Sequence, residues 1–218
     1  RIGITPMATL AEIRTKIAER LQDPSFTSVT SASVDSVIND ALRYYKYHVF
    51  WFNEKSTIIT LNQGDPVIPN IPADFLVELQ SGGLTIHYSN LFYPLRKISS
   101  DVYDGSNVEG IGIPYVYTYR SQQFEVYFYP NIAYDLTLRY IKDYADLVDG
   151  TDTNDFTLYA DRMIIYNALS RIYAEYKQDP NMEQYYTARA KDEELNLKRR
   201  SDSLTGSGVL TINSYLTT

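Results

Sequence analysis

The sequence predicts an α+β fold: a discontinuous helical bundle of N- and C-terminal helix pairs, an inserted antiparallel β domain and an extended C-terminal tail. Three observations lead there. Apolar residues recur at helical spacing up to Trp51-Phe52 and again after Asp149. Between those stretches the period changes to two. Neither terminal helix pair carries enough apolar face to stand alone, so the two pairs are expected to share one core. The expected boundaries are 7–55 with 145–204 for the bundle, 56–144 for the β domain and 205–218 for the tail.

Thr9-Leu10-Ala11-Glu12 is a capping-box pattern, and Leu10, Ile13, Ile17 and Leu21 follow on one helical face. Asp23-Pro24 stops that helix. Ser33 can cap a second, with Val34, Ile38, Ala41 or Leu42, Tyr45 and Val49 inward and an end near Trp51-Phe52. Tyr44-Tyr45-Lys46-Tyr47 cannot all face inward, so at least one ring must meet solvent or a neighbour. Ser56 to Leu61 reads as a strand, and Asn62-Gln63-Gly64-Asp65 as a turn. Prolines keep Val67 to Phe75 extended. Leu84–Tyr88 and Leu91–Lys97 read as strands around Ser89-Asn90, and 101–112 as loop.

The clearest alternation puts Tyr115, Tyr117 and Tyr119 on one face of a strand. After a Ser121-Gln122 turn, Phe124, Val126 and Phe128 take one face, and Glu125, Tyr127 and Tyr129 the other. Leu136, Leu138 and Tyr140 alternate in a third strand, completing an expected antiparallel meander. A long helix is expected from Asn154 or Asp155, with Ile164, Ile165, Ala168, Leu169, Ile172 and Tyr176 inward. Asp179-Pro180 restarts a last helix, thinly apolar at Met182, Tyr186, Leu195 and Leu197.

Composition excludes several classes of function. The 218 residues contain no cysteine, which removes disulfides, thiolate metal sites and a cysteine nucleophile. Only His48 and His87 could serve a histidine metal site. A net charge of −7 argues against a protein that grips nucleic-acid phosphates, and no apolar run approaches bilayer length. Met7-Ala8 reads as a natural start; residues 1–6 read as an extension or cloning remnant without an export signal.

Candidate chemistry is sparse. Gly105 to Gly112 has the spacing of a phosphate loop, but Ile111 and Gly112 stand where lysine and a hydroxyl are needed. Asp149 to Asp155 is oxygen-rich, yet its glycine is misplaced for an EF-hand and no glutamate closes it. Glu54, Asp74 and Glu125 are the carboxylates best placed for hydrolysis, and solvated strand or loop acids describe them as well. His48 reads as a packed or capping histidine. No catalytic, cofactor or metal residue is assigned.

Tyrosine carries more: there are 21, against 8 Phe and 1 Trp. A ring with a polar tip suits surfaces at the edge of a partner. Tyr115, Tyr117 and Tyr119 facing Tyr127 and Tyr129 would form an aromatic wall, either packed on the sheet's own core or contacting a neighbouring subunit. Residues 205–218 are uncharged and β-prone, with Val209, Leu210, Ile212, Tyr215 and Leu216 following a Gly-Ser-Gly hinge. Such a segment either adds a strand to a neighbour's sheet or frays.

Taken in order, several features resemble the head-to-tail adaptor that rings the underside of the portal in tailed phages. They are the helix from Ala8 to Leu21, Ala41-Leu42-Arg43 running into Trp51, and the strand Ser56–Leu61. Next come Ile71-Pro72-Ala73-Asp74-Phe75, Gly112-Ile113-Pro114 with the tyrosine strand, Phe124 to Pro130, Leu136 to Tyr144, and the break at Asp179-Pro180. The resemblance covers most of 8–204; Ile71 stands where similar proteins often have leucine. It implies a non-enzymatic virion protein, made in the host cytoplasm, that forms a dodecameric ring at the head–tail junction. Implied partners are the portal, a tail or nozzle protein and further copies of itself; double-stranded DNA passes through without specific binding, and no membrane or cofactor is involved. It further implies tails, here Val209, Leu210, Ile212, Tyr215 and Leu216, that reach the portal or an adjacent subunit. The surplus tyrosines would be inter-subunit contacts. A dodecamer of −7 chains would carry about −84, repelling DNA along a lumen rather than holding it. The alternatives are a glycan or host-surface recognition protein of a phage tail, stacking sugars on the tyrosine sheet, and a connector-associated peptidoglycan hydrolase.

Overall fold

A computed structural model describes residues 8–79, 83–104 and 110–205. The chain divides into two compact units: Glu54–Asp143 forms one, and the segments before and after it together form the other.

The helical unit begins with α1 (Leu10–Leu21) and α2 (Ser31–Tyr45). Thr9 and Glu12 cap α1 reciprocally, as the sequence pattern requires, and Leu10, Ile13 and Ile17 are fully buried. Thr30, not Ser33, caps α2, because its hydroxyl accepts the Ser33 amide. That helix stops at Tyr45, so Val49 lies beyond it and is exposed. Tyr45 is buried while Tyr44 and Tyr47 meet solvent.

The β unit contains β1 (Glu54–Leu61), β2 (Phe75–Glu78), β3 (Leu84–Tyr88), β4 (Leu91–Pro94) and β5 (Arg96–Lys97). A short α3 (Ser100–Asp104) lies where sequence predicted loop. Then come β6 (Ile111–Gly112), β7 (Val116–Arg120), β8 (Gln123–Tyr127), β9 (Tyr129–Pro130) and β10 (Tyr134–Lys142). The expected three-stranded meander is not formed. β7 and β8 pair as a hairpin, with β5 parallel to β7, while β10 leaves for another sheet. The reason is length: β10 has nine residues and pairs with β1 on one side and with β2 and β3 in succession on the other. Leu136, Leu138 and Tyr140 nonetheless alternate inward as read. They meet Ile59, Leu61, Leu84 and Ile86 from their own sheet and Tyr117, Phe124 and Val126 from the other in one core.

The chain then returns to the helical unit through α4 (Asp155–Tyr159), α5 (Asp161–Ile172) and α6 (Pro180–Thr205). The single long helix expected from Asn154 is broken at Ala160, whose ψ of 22° is not helical. α5 ends in a π turn, 173–177, which changes the helical phase. Consequently Tyr173, not Tyr176, stacks on Tyr186, with ring centroids 5.5 Å apart. Asp179 caps α6 by accepting the Asn181 and Met182 amides. The two halves of this unit are stitched together through backbone and core. The Leu10 and Ala11 amides donate to the Asp152 and Gly150 carbonyls at 3.0 and 2.9 Å. Phe50 and Phe52 pack against Phe156 in the shared core.

Candidate assembly surfaces

The β7–β8 hairpin decides where the tyrosines go. Tyr117 lies opposite Val126 and Tyr119 opposite Phe124, so these rings share the core-facing side. Tyr117 is 3% exposed, and burial pushes its hydroxyl up to about 12. Tyr119 is half-buried, its ring 4.7 Å from Phe124. The wall read from the sequence is therefore divided. Tyr127 takes the opposite face, across from Val116. Tyr115 precedes β7 and turns outward, 52% exposed, with its ring 5.3 Å from Phe128 and 6.2 Å from Tyr127. Tyr129, in β9, is also exposed. As a correction, Tyr117 belongs to the unit's own core and offers no surface to another subunit.

Tyr103, on α3, joins the outward rings and was missed in the sequence. Its ring is 5.9 Å from Tyr127, and its hydroxyl donates to the Val126 carbonyl at 3.1 Å. Ser99-Ser100-Asp101 before an apolar pair was the available signal for a short helix there. Arg120 lies 5.3 Å over the Tyr103 ring and grips Glu125 with two nitrogens, at 2.9 and 2.7 Å, and Asp104 with a third. Those carboxylates hold its guanidinium above its ordinary pKa. Phe128 adopts φ +70°, and its ring lies against Gly110, where an added Cβ would come within 1.9 Å of it. Ile111 and Ile113 extend the exposed apolar area. The arrangement is an aromatic surface with a fixed charged flank, suited to contact rather than bond-making.

In the helical unit, a groove of about 530 Å³ is lined by Tyr44, His48, Thr187, Lys191, Glu194 and Lys198, among others. His48 Nδ1 is 3.3 Å from a Glu194 oxygen. Burial lowers the histidine's pKa while Glu194 opposes that shift. Glu194 also pairs with Lys198. His48 is thus the packed residue that its helix end suggested.

The other candidate groups have local partners. Glu54 pairs with Arg139, and Glu125 with Arg120. Asp74 accepts from Lys55 at 2.6 Å and Tyr140 at 2.8 Å; burial raises its pKa, but these bonds prevail and hold it below the ordinary range. Asp152 accepts the Val148 and Asp149 amides, and Asn154 caps α4 reciprocally with Thr157, so the oxygen-rich stretch is a turn and a cap. Among the described residues there is no group of three or more His, Asp or Glu that could hold a metal ion. Nor is any helix among them long and apolar enough to cross a membrane. Val209, Leu210, Ile212, Tyr215 and Leu216 lie outside the described residues, as do 1–7 and most of the Gly105–Gly112 stretch.

A helical unit drawn from both sides of an inserted β unit, with aromatic rings presented outward from the latter, defines an α+β protein. The chain belongs to the SU10 adaptor protein family, whose sequence model matches residues 8–211; it is a family of phage head–tail adaptors. No curated protein matches the chain.

Proposed function

We propose that this phage adaptor forms a ring between portal and tail at the head–tail junction of the virion and lines part of the DNA channel, without catalysis. The carrying observation is the family match, which spans both units rather than one. The outward rings of Tyr103, Tyr115, Tyr127 and Phe128 support it as subunit contacts, with Tyr129 nearby in sequence. Residues 205–218, through Val209, Leu210, Ile212, Tyr215 and Leu216, engage the portal or an adjacent subunit. The charge of −7 per chain suits a conduit through which DNA slides. The local pairing of Glu54, Asp74 and Glu125 speaks against the hydrolase alternative.

The test is to mix the purified chain with portal rings of the same phage and image the mixture by electron microscopy. A second, rotationally symmetric ring stacked beneath the portal is the expected result. Bare portals at saturating protein would overturn the proposal and direct attention to glycan binding.

A further inference from the structure

The edges of the five-stranded sheet at β4 and at β1 are built differently. At one edge, the Leu95 amide donates to the Leu84 carbonyl at 2.9 Å. Backbone groups alternate sides along a strand, so Tyr93 and Leu91 also face β3, while Phe92 and Pro94 face outward. Pro94 has no amide hydrogen, and β4 is only four residues long. That edge is closed to a further strand.

The other edge is β1. Arg139 donates its amide to Gly83 and accepts from Leu79, so its backbone groups face away from β1. By the same alternation, Leu138, Leu136 and Tyr134 face β1 and bond Thr57, Ile59 and Leu61. Ser56, Ile58 and Thr60 are left with amides and carbonyls pointing outward. None of the three has a backbone hydrogen bond on that side among the described residues, and all are exposed, Ile58 at 65%. No proline or bulge interrupts the eight residues of β1.

We infer that the open edge of β1 receives the C-terminal segment of a second copy of this chain as an added strand. The described structure stops at Thr205, and residues 206–218 follow without a single charge. After the Gly206-Ser207-Gly208 hinge, Val209 to Leu216 equals β1 in length. Its alternation also fits. Leu210, Ile212 and Leu216, with Ser214, extend the buried side of Ile59 and Leu61, while Thr211 and Asn213, with Val209 and Tyr215, extend the exposed side of Ser56, Ile58 and Thr60. Tail to edge is a head-to-tail contact, which closes into a ring when its rotation permits. The inference deepens the adaptor reading and rests on its assumption of self-assembly.

The absence of cysteine makes the test clean. Full-length Ile58→Cys chains are mixed with chains carrying Leu210→Cys, Thr211→Cys, Ile212→Cys or Asn213→Cys, then oxidised both free at high concentration and with portal rings. Disulfide yield between chains should be at least about fivefold higher at 211 and 213 than at 210 and 212, since only same-face Cβ atoms come within reach. Thr60→Pro in the Ile58→Cys chain removes one outward amide without touching the β1–β10 ladder. It should lower that yield about tenfold with the fold retained by circular dichroism. Equal yields at both parities, or none, overturn the inference. So do disulfides confined to chains bearing both cysteines in an excess of cysteine-free protein. Stacked rings without disulfides overturn the inference and leave the adaptor reading standing. Bare portals with alternating disulfides between free copies do the reverse.

Discussion

Asn39 is buried on α2, and its side chain makes both bonds a peptide group would: it donates to the Leu147 carbonyl and accepts the Leu147 amide, each at 2.9 Å. One residue thereby ties the first half of the helical unit to the segment that returns after the β unit. Asn39→Leu keeps the volume but leaves a buried amide and carbonyl unpaired, so the expected loss is about 2–4 kcal/mol in urea unfolding. Nothing in the sequence marked this residue, because its partner lies 108 positions away. The tyrosines show the same limit. Period two assigned Tyr117 and Tyr119 to one side correctly, but which side faced a core depended on Phe75 and Tyr140, brought in from other strands.

Two hairpins share one turn geometry. Ser89-Asn90 and Ser121-Gln122 each hold two consecutive residues at positive φ, between 49° and 62°, the turn that matches strand twist. Gln122 gains nothing from that conformation. Replacing Ser121-Gln122 by Asn-Gly should raise stability by about 1 kcal/mol, seen as a higher melting temperature with unchanged circular dichroism. These turns were legible because the signal is local, as were the cap of α1 and the Asp179 cap of α6. The partner of β10 was not. Alternation gives a strand's faces but not its neighbours, and β10 exchanged its preceding hairpin for β1, β2 and β3. The break at Ala160 was hidden for a related reason: helical periodicity on either side of it is nearly continuous.

For the whole molecule, the return of helical period after a long β stretch was enough to infer one bundle drawn from two segments. The family match across 8–211 is consistent with a single adaptor chain containing both units. A chain shortened by residues 206–218 keeps every described residue of the helical and β cores and should unfold with the same midpoint as the full chain. Binding to portal rings should nevertheless weaken about tenfold or more, measured by co-sedimentation. Equal binding by the shortened chain would remove the tail from the assembly. The register of β1 against β10 has one more consequence. Glu54 lies opposite Ile141, so the stretch of about ninety residues between the helical segments begins and ends at neighbouring points. Once that pairing forms, the polymer loop separating α2 from α4 shrinks from about 110 residues to about 20, easing its closure by about 1.4 kcal/mol. The ladder acts as a clasp on the thread: the helical unit can be completed as though its two halves were consecutive, whatever sequence the clasp encloses.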